Sequence, residues 1–92
     1  MTHTIHKVQL EITDQQHVML PANVEILTVQ VQRGIPCVWY KFNKSVEEKV
    51  KWSFYTVGTG HNTSTTVGQY VGTYQIDNGN LVFHVFARRS DV

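Results

Sequence analysis

The sequence predicts an all-β domain, a small antiparallel β-sandwich or partly open barrel of about seven strands. Three observations carry this expectation. Aromatic and β-branched residues dominate the chain. Apolar residues fall on alternate positions, the strand period. Turn signals recur at short intervals, so the runs between them are strand-sized.

Taken in order, Thr4–Ile12 alternates apolar and polar side chains, and Gln16–Leu20 is a second, shorter strand. Glu25–Gln32 and Pro36–Phe42 flank the turn residues Arg33 and Gly34. Lys49–Val57 is rich in aromatics, and Gln69–Ile76 and Leu81–Arg88 flank Asn78-Gly79. A helix over Ser45–Lys51 competes with the start of the fifth strand, but it has room for only about two turns. No repeat or linker divides residues 1–92, which read as a single β domain.

Two hairpin registers follow from the turns. Asn-Gly is the signature of a two-residue type I′ turn. With Asn78-Gly79 as the loop, Ile76 faces Leu81, Tyr74 faces Phe83 and Gly72 faces Val85 on a core face. The other face then pairs Thr73 with His84, Gln75 with Val82 and Val71 with Phe86. With Arg33-Gly34 as the other loop, Val31, Val29 and Leu27 lie beside Pro36, Val38 and Tyr40. Thr28, Gln30 and Gln32 then face Trp39, Cys37 and Ile35. That second face joins an indole to a row of amides and suits a base or sugar. Against this stands a plainer role for Trp39, capping a second layer or a second subunit.

Composition narrows the function classes. Eight basic and seven acidic residues leave the chain near neutrality, which argues against duplex nucleic acid as the main partner. No stretch reaches the ~18 apolar residues that a membrane helix needs, and Met1–Ile12 alternates rather than forming a secretory h-region. The single cysteine, Cys37, fits a reducing cytoplasm. Asn-x-Ser triplets at Asn43 and Asn62 are then chance matches to the glycosylation pattern.

The segment Gly58–Gly68 holds three glycines, five hydroxyl residues, His61 and one apolar residue. A loop this long in a small domain is functional or disordered. Closely spaced glycines let backbone N–H groups converge on an anion, with Thr59 and His61 as further donors. Gly58, Thr59, Gly60 and His61 are therefore candidate ligand residues. Tyr55 and Trp39 are candidate stacking platforms. Gln30, Gln32, Thr73 and His84 are candidate readers of base or ribose edges, and Arg33, Arg88 or Arg89 could reach in from a neighbouring subunit.

Catalytic and metal chemistry find little support. The five histidines (His3, His6, His17, His61 and His84) lack metal-ligand spacing, and His3 and His6 fall on opposite strand faces. Cys37 has no Cys-His motif. Glu11, Asp14, Glu25, Asp77 and Asp91 fall at strand ends and turns, while Glu47 and Glu48 sit in a solvated run. A binding protein without catalytic residues, metal or cofactor is the expected class.

The segments Leu27–Trp39, Gly58–His61, Tyr70–Thr73 and Leu81–Phe86, with Leu10–Asp14 and Leu20-Pro21, resemble a widespread family of small phage and prophage proteins. The resemblance covers nearly the whole chain. It extends to the phage anti-CBASS and anti-Thoeris sponge proteins of the fourth anti-CBASS type. The resemblance implies a homotetramer in the cytoplasm of an infected bacterial host. It further implies sequestration, without cleavage, of a nucleotide immune signal: a cyclic dinucleotide such as 3′,3′-cGAMP, or an ADP-ribose derivative. Two other classes remain open. One is a non-catalytic phage structural or interaction protein. The other is a phosphodiesterase using His61 and His84 as general acid and base.

Overall fold

Arg33 and Gly34 both have positive φ, 53° and 79°. That mirror-image turn matches the right-handed twist of the strands it joins. In the computed structural model, which describes residues 2–90, it links β3 (Glu25–Gln32) to β4 (Ile35–Asn43). The remaining strands are β1 (His3–Gln9), β2 (Gln15–Pro21), β5 (Lys49–Gly58), β6 (Gln69–Ile76) and β7 (Leu81–Arg89). All pairings are antiparallel, and the strands form a three-stranded sheet, β1-β4-β3, and a four-stranded sheet, β2-β5-β7-β6. The fold is all-β with seven antiparallel strands, as the periodicity predicts, and the two separate sheets make it the sandwich of the two expected architectures.

The alternation of side chains puts Val8, Val38 and Val29 on the inner face of the three-stranded sheet. Leu20, Trp52, Phe54, Val85, Ala87 and Tyr74 line the inner face of the other. Phe54, Val38 and Val85 are fully buried, so truncating Phe54 to alanine would cost about 3–5 kcal/mol. The sheets approach most closely where β6 meets β3. A Cβ on Gly72 would stand 2.8 Å from Val29 Cγ1, so only glycine fits without displacement.

Both hairpin registers hold, each up to one bulge. Thr28 pairs with Trp39 and Val29 with Val38, but Ile26, not Leu27, pairs with Tyr40. Leu27 is the extra residue of a bulge and is exposed. In the other hairpin Ile76–Leu81 through Gly72–Val85 pair as expected, but Phe86 pairs with Tyr70 rather than Val71. Bulges add twist, and here they sit at the end of each hairpin away from its turn. The Asn-Gly connection is wider than two residues: Asp77, Asn78 and Gly79 all take positive φ, and strand pairing begins at Ile76 and Leu81.

One boundary differs from expectation, and the competition at the start of the fifth strand is resolved in favour of the strand. The first strand stops at Gln9, and Leu10 turns inward to 4% exposure with its N–H donating to Pro36 O at 2.9 Å. No helix forms over Ser45–Lys51. Asn43 caps a turn by accepting from Ser45 N–H at 2.9 Å, and Lys49 already belongs to β5. Among the described residues, no helix is long and apolar enough to cross a membrane.

Candidate functional site

The outer face of the four-stranded sheet collects the chemistry. Strand alternation aligns Tyr55, Phe86 and Tyr70 in one row across β5, β7 and β6. Tyr70 is 59% exposed, and its ring meets that of Phe86 at 5.6 Å between centroids. At the Tyr55 end the Arg88 guanidinium lies 5.9 Å from the ring centroid and donates to the Tyr55 hydroxyl at 3.2 Å. Lys49 and Lys51 continue the same face along β5. Among the described residues of this face there is no carboxylate. A near-neutral chain thus carries a cationic, aromatic surface.

Below that row runs a chain of hydroxyls. The Tyr70 hydroxyl meets Thr73 Oγ1, which lies 2.9 Å from His84 Nδ1. His84 Nε2 lies 2.8 Å from Thr59 Oγ1. Both imidazole nitrogens are therefore engaged, and a neutral ring donates with one and accepts with the other. On the other side of the row His17 Nδ1 meets Ser53 Oγ at 2.9 Å, and Ser53 also contacts Ser90. These hydroxyls and ring nitrogens offer hydrogen bonds to an oxygen-rich ligand.

The Gly58–His61 segment is a tight turn. His61 N–H donates to Gly58 O at 3.0 Å, and Thr59 N–H donates to Val82 O at 3.2 Å. Gly60 takes φ of 87°, and the His61 ring lies against Gly58. Two of the N–H groups expected to converge on an anion are thus spent inside the fold. What the turn does instead is aim Thr59 Oγ1 at His84 and place His61 on the wall of a cleft of about 430 Å³. That cleft is lined by β5 residues 55–58, by Ile12–Asp14, and by residues 61–64 and 67.

The residues expected to form one site divide between two opposite faces. Gly58, Thr59, Gly60, His61, Tyr55, Thr73 and His84 gather on or beside the outer face of the four-stranded sheet. Trp39, Gln30 and Gln32 lie on the outer face of the three-stranded sheet, with Arg33 in the turn at its end. There Lys7 Nζ donates to Gln32 Oε1, and the half-buried Trp39 lies between Lys7 and Thr28. Asp91 lies outside the described residues.

Phe86 and Tyr70 are the ring residues that sequence reasoning missed. The bulge between Tyr70 and Gly72 brings Tyr70, not Val71, opposite Phe86, so a register without the bulge hides the pair. Arg88, expected to reach in from a neighbouring subunit, sits over Tyr55 of its own chain. Among the described residues, no group of three or more His, Cys, Asp or Glu residues is placed to hold a metal ion.

No curated protein and no solved structure matches the chain. A family model, described as a domain of unknown function (DUF7352), matches residues 1–92, the full length. The chain therefore belongs to the DUF7352 family.

Proposed function

We propose that the protein binds a nucleotide and holds it without cleaving it. The observation that carries this reading is the row Tyr55–Phe86–Tyr70 with Arg88 over Tyr55, on a face without carboxylates that continues along β5 to Lys51 and Lys49. Bases stack on aromatic rings for about 1–3 kcal/mol each, and guanidinium and ammonium groups take phosphates. Thr73, His84 and Thr59 add hydrogen bonds at the edge of the row. The resemblance to phage sponge proteins narrows the ligand to a nucleotide immune signal, a cyclic dinucleotide or an ADP-ribose derivative, and the setting to the infected host cell.

Self-assembly is a companion reading, favoured by the other face. Ile5 and Ile35 stand 55% and 40% exposed on the outer face of the three-stranded sheet, one on either side of Trp39 along the strand direction. Apolar surface of this kind suits a subunit contact, and a homotetramer would give it one.

A thermal-shift screen of the purified protein against cyclic dinucleotides, cyclic trinucleotides and ADP-ribose derivatives tests the proposal. A ligand bound only by the folded state adds about 4 kcal/mol at a thousandfold excess over Kd. A marked rise in Tm, with intact ligand recovered after denaturation, is expected. Altered ligand would move the reading to an enzyme, and no shift with any member of the panel would favour a structural or interaction role.

A further inference from the structure

We infer that the free edge of β1 docks a second copy of this chain, whose own β1 adds to it antiparallel about a two-fold axis at His6. This seam rests on the self-assembly reading, which it makes specific, and not on the nucleotide face. Lys44 N–H donates to Thr2 O and Leu10 N–H to Pro36 O, both at 2.9 Å. The two bonds fix the phase of the ladder between them, which runs from His3–Asn43 to Gln9–Cys37 without a bulge. Bonding and non-bonding pairs alternate in an antiparallel ladder, so Thr4, His6 and Val8 turn their N–H and C=O groups to β4. His3, Ile5, Lys7 and Gln9 turn theirs outward, where no strand among the described residues meets them.

The other edges are closed or blunted, and this one is not. β3 and β6 approach each other at Val29 and Gly72, and β2 ends in Pro21, which has no N–H to offer. β1 holds no proline, glycine or acid. A lysine on an edge strand ordinarily deters pairing, but Lys7 donates across β4 to Gln32 on β3, so its charge leans back over its own sheet. The strand also fits itself. With His6 opposite its own copy, His3 faces Gln9 and Ile5 faces Lys7, and each of these facing pairs exchanges two hydrogen bonds. Moving the axis to Ile5 or to Lys7 loses a bonded pair, and at Lys7 it sets the ammonium group against its copy. On the outer face Ile5, 55% exposed, becomes a diagonal neighbour of its copy. On the inner face His6 already meets Phe42 and Tyr40 at 5.0 and 6.3 Å between ring centroids, so rings of both subunits close over the axis. The two three-stranded sheets then form one sheet of six strands.

Sedimentation equilibrium and oxidative cross-linking of the full chain test this. The native protein should have a mass that is an even multiple of 10.6 kDa. His6→Cys sets a thiol opposite its own copy at a non-bonding pair, where Cα atoms stand about 4.5 Å apart, within disulfide reach. It should give a covalent dimer in high yield, whereas the native chain, whose lone Cys37 is buried, should give none. Thr4→Cys, which faces Val8 of the copy instead of itself, should cross-link about fivefold less. Ile5→Pro removes an outward N–H and leaves the bonds to β4 in place, so it should fold and halve the mass. If that variant fails to fold, the His6→Cys yield alone decides. An assembly that gives no His6→Cys dimer and is lost in Trp39→Ala would overturn the edge seam and leave self-assembly standing. A monomer at every concentration would overturn both.

Discussion

Thr73 and His84 face each other across β6 and β7 with Oγ1 2.9 Å from Nδ1. The contact ties the aromatic row to the glycine turn, because the far nitrogen of the same ring meets Thr59. The side chains are partly solvated, so the network orders a surface rather than supporting a core.

Replacing His84 with alanine should therefore weaken nucleotide binding about tenfold and change stability by less than about 1 kcal/mol. Paired calorimetric titration and thermal melting separate the two effects. A lowered Tm with unchanged affinity would make the network purely structural.

Phe86→Ala should lower affinity by one stacking interaction, about 1–3 kcal/mol. Arg88→Ala should act mainly on the phosphate and flatten the salt dependence of binding. Trp39→Ala, on the opposite face, should leave the affinity of one subunit unchanged. If self-assembly uses that face, its effect appears instead in the elution volume on size exclusion.

The glycines separate fold from site. Gly68→Ala should unfold or severely destabilise the protein. Its φ is 98°, and a Cβ there would stand 2.2 Å from the carbonyl oxygen of Ala87. Gly72→Ala should cost about 1–3 kcal/mol through overpacking against Val29. Gly60 has positive φ but nothing within 4 Å of its Cβ position, so Gly60→Ala should cost only backbone strain, about 1 kcal/mol. Chemical denaturation of the three variants gives the order directly.

Burial holds the Tyr74 and Tyr40 phenols above their ordinary value. The folded state then keeps these protons longer than the unfolded chain, whose phenols ionise near pH ~10. The resulting stabilisation is complete below that pH and is lost as pH rises through the folded values. Tyr74→Phe should soften the alkaline loss. It should also raise stability at neutral pH by about 1 kcal/mol, because the buried Tyr74 hydroxyl has no partner. Urea melts between pH 7 and pH 11 would show both effects.

The strands were legible because their alternation survives in the fold: Val29 and Val38 go inward while Gln30 and Trp39 go outward. Turn chemistry carried the register as well, and with it the Thr73–His84 contact. Two kinds of information were hidden. Bulges at Leu27 and Val71 leave no mark in an alternating pattern, so the Tyr70–Phe86 pair was missed. Nor does a sequence say which outer face a strand belongs to. The hairpin carrying Trp39 went to one sheet and the hairpin carrying His84 to the other, which divided the candidate site. The glycine loop read as an anion nest because its composition allows one, yet Thr59 and His61 spend their N–H groups on Val82 and Gly58.

The most direct test of the nucleotide-binding face is covalent mapping with an 8-azidoadenine nucleotide, photolysed on the native protein and followed by peptide analysis. Attachment at Tyr55, Tyr70 or Phe86, competed away by unmodified nucleotide, is the expected result. Attachment confined to the peptide carrying Trp39, or labelling no stronger than on heat-unfolded protein, would contradict it.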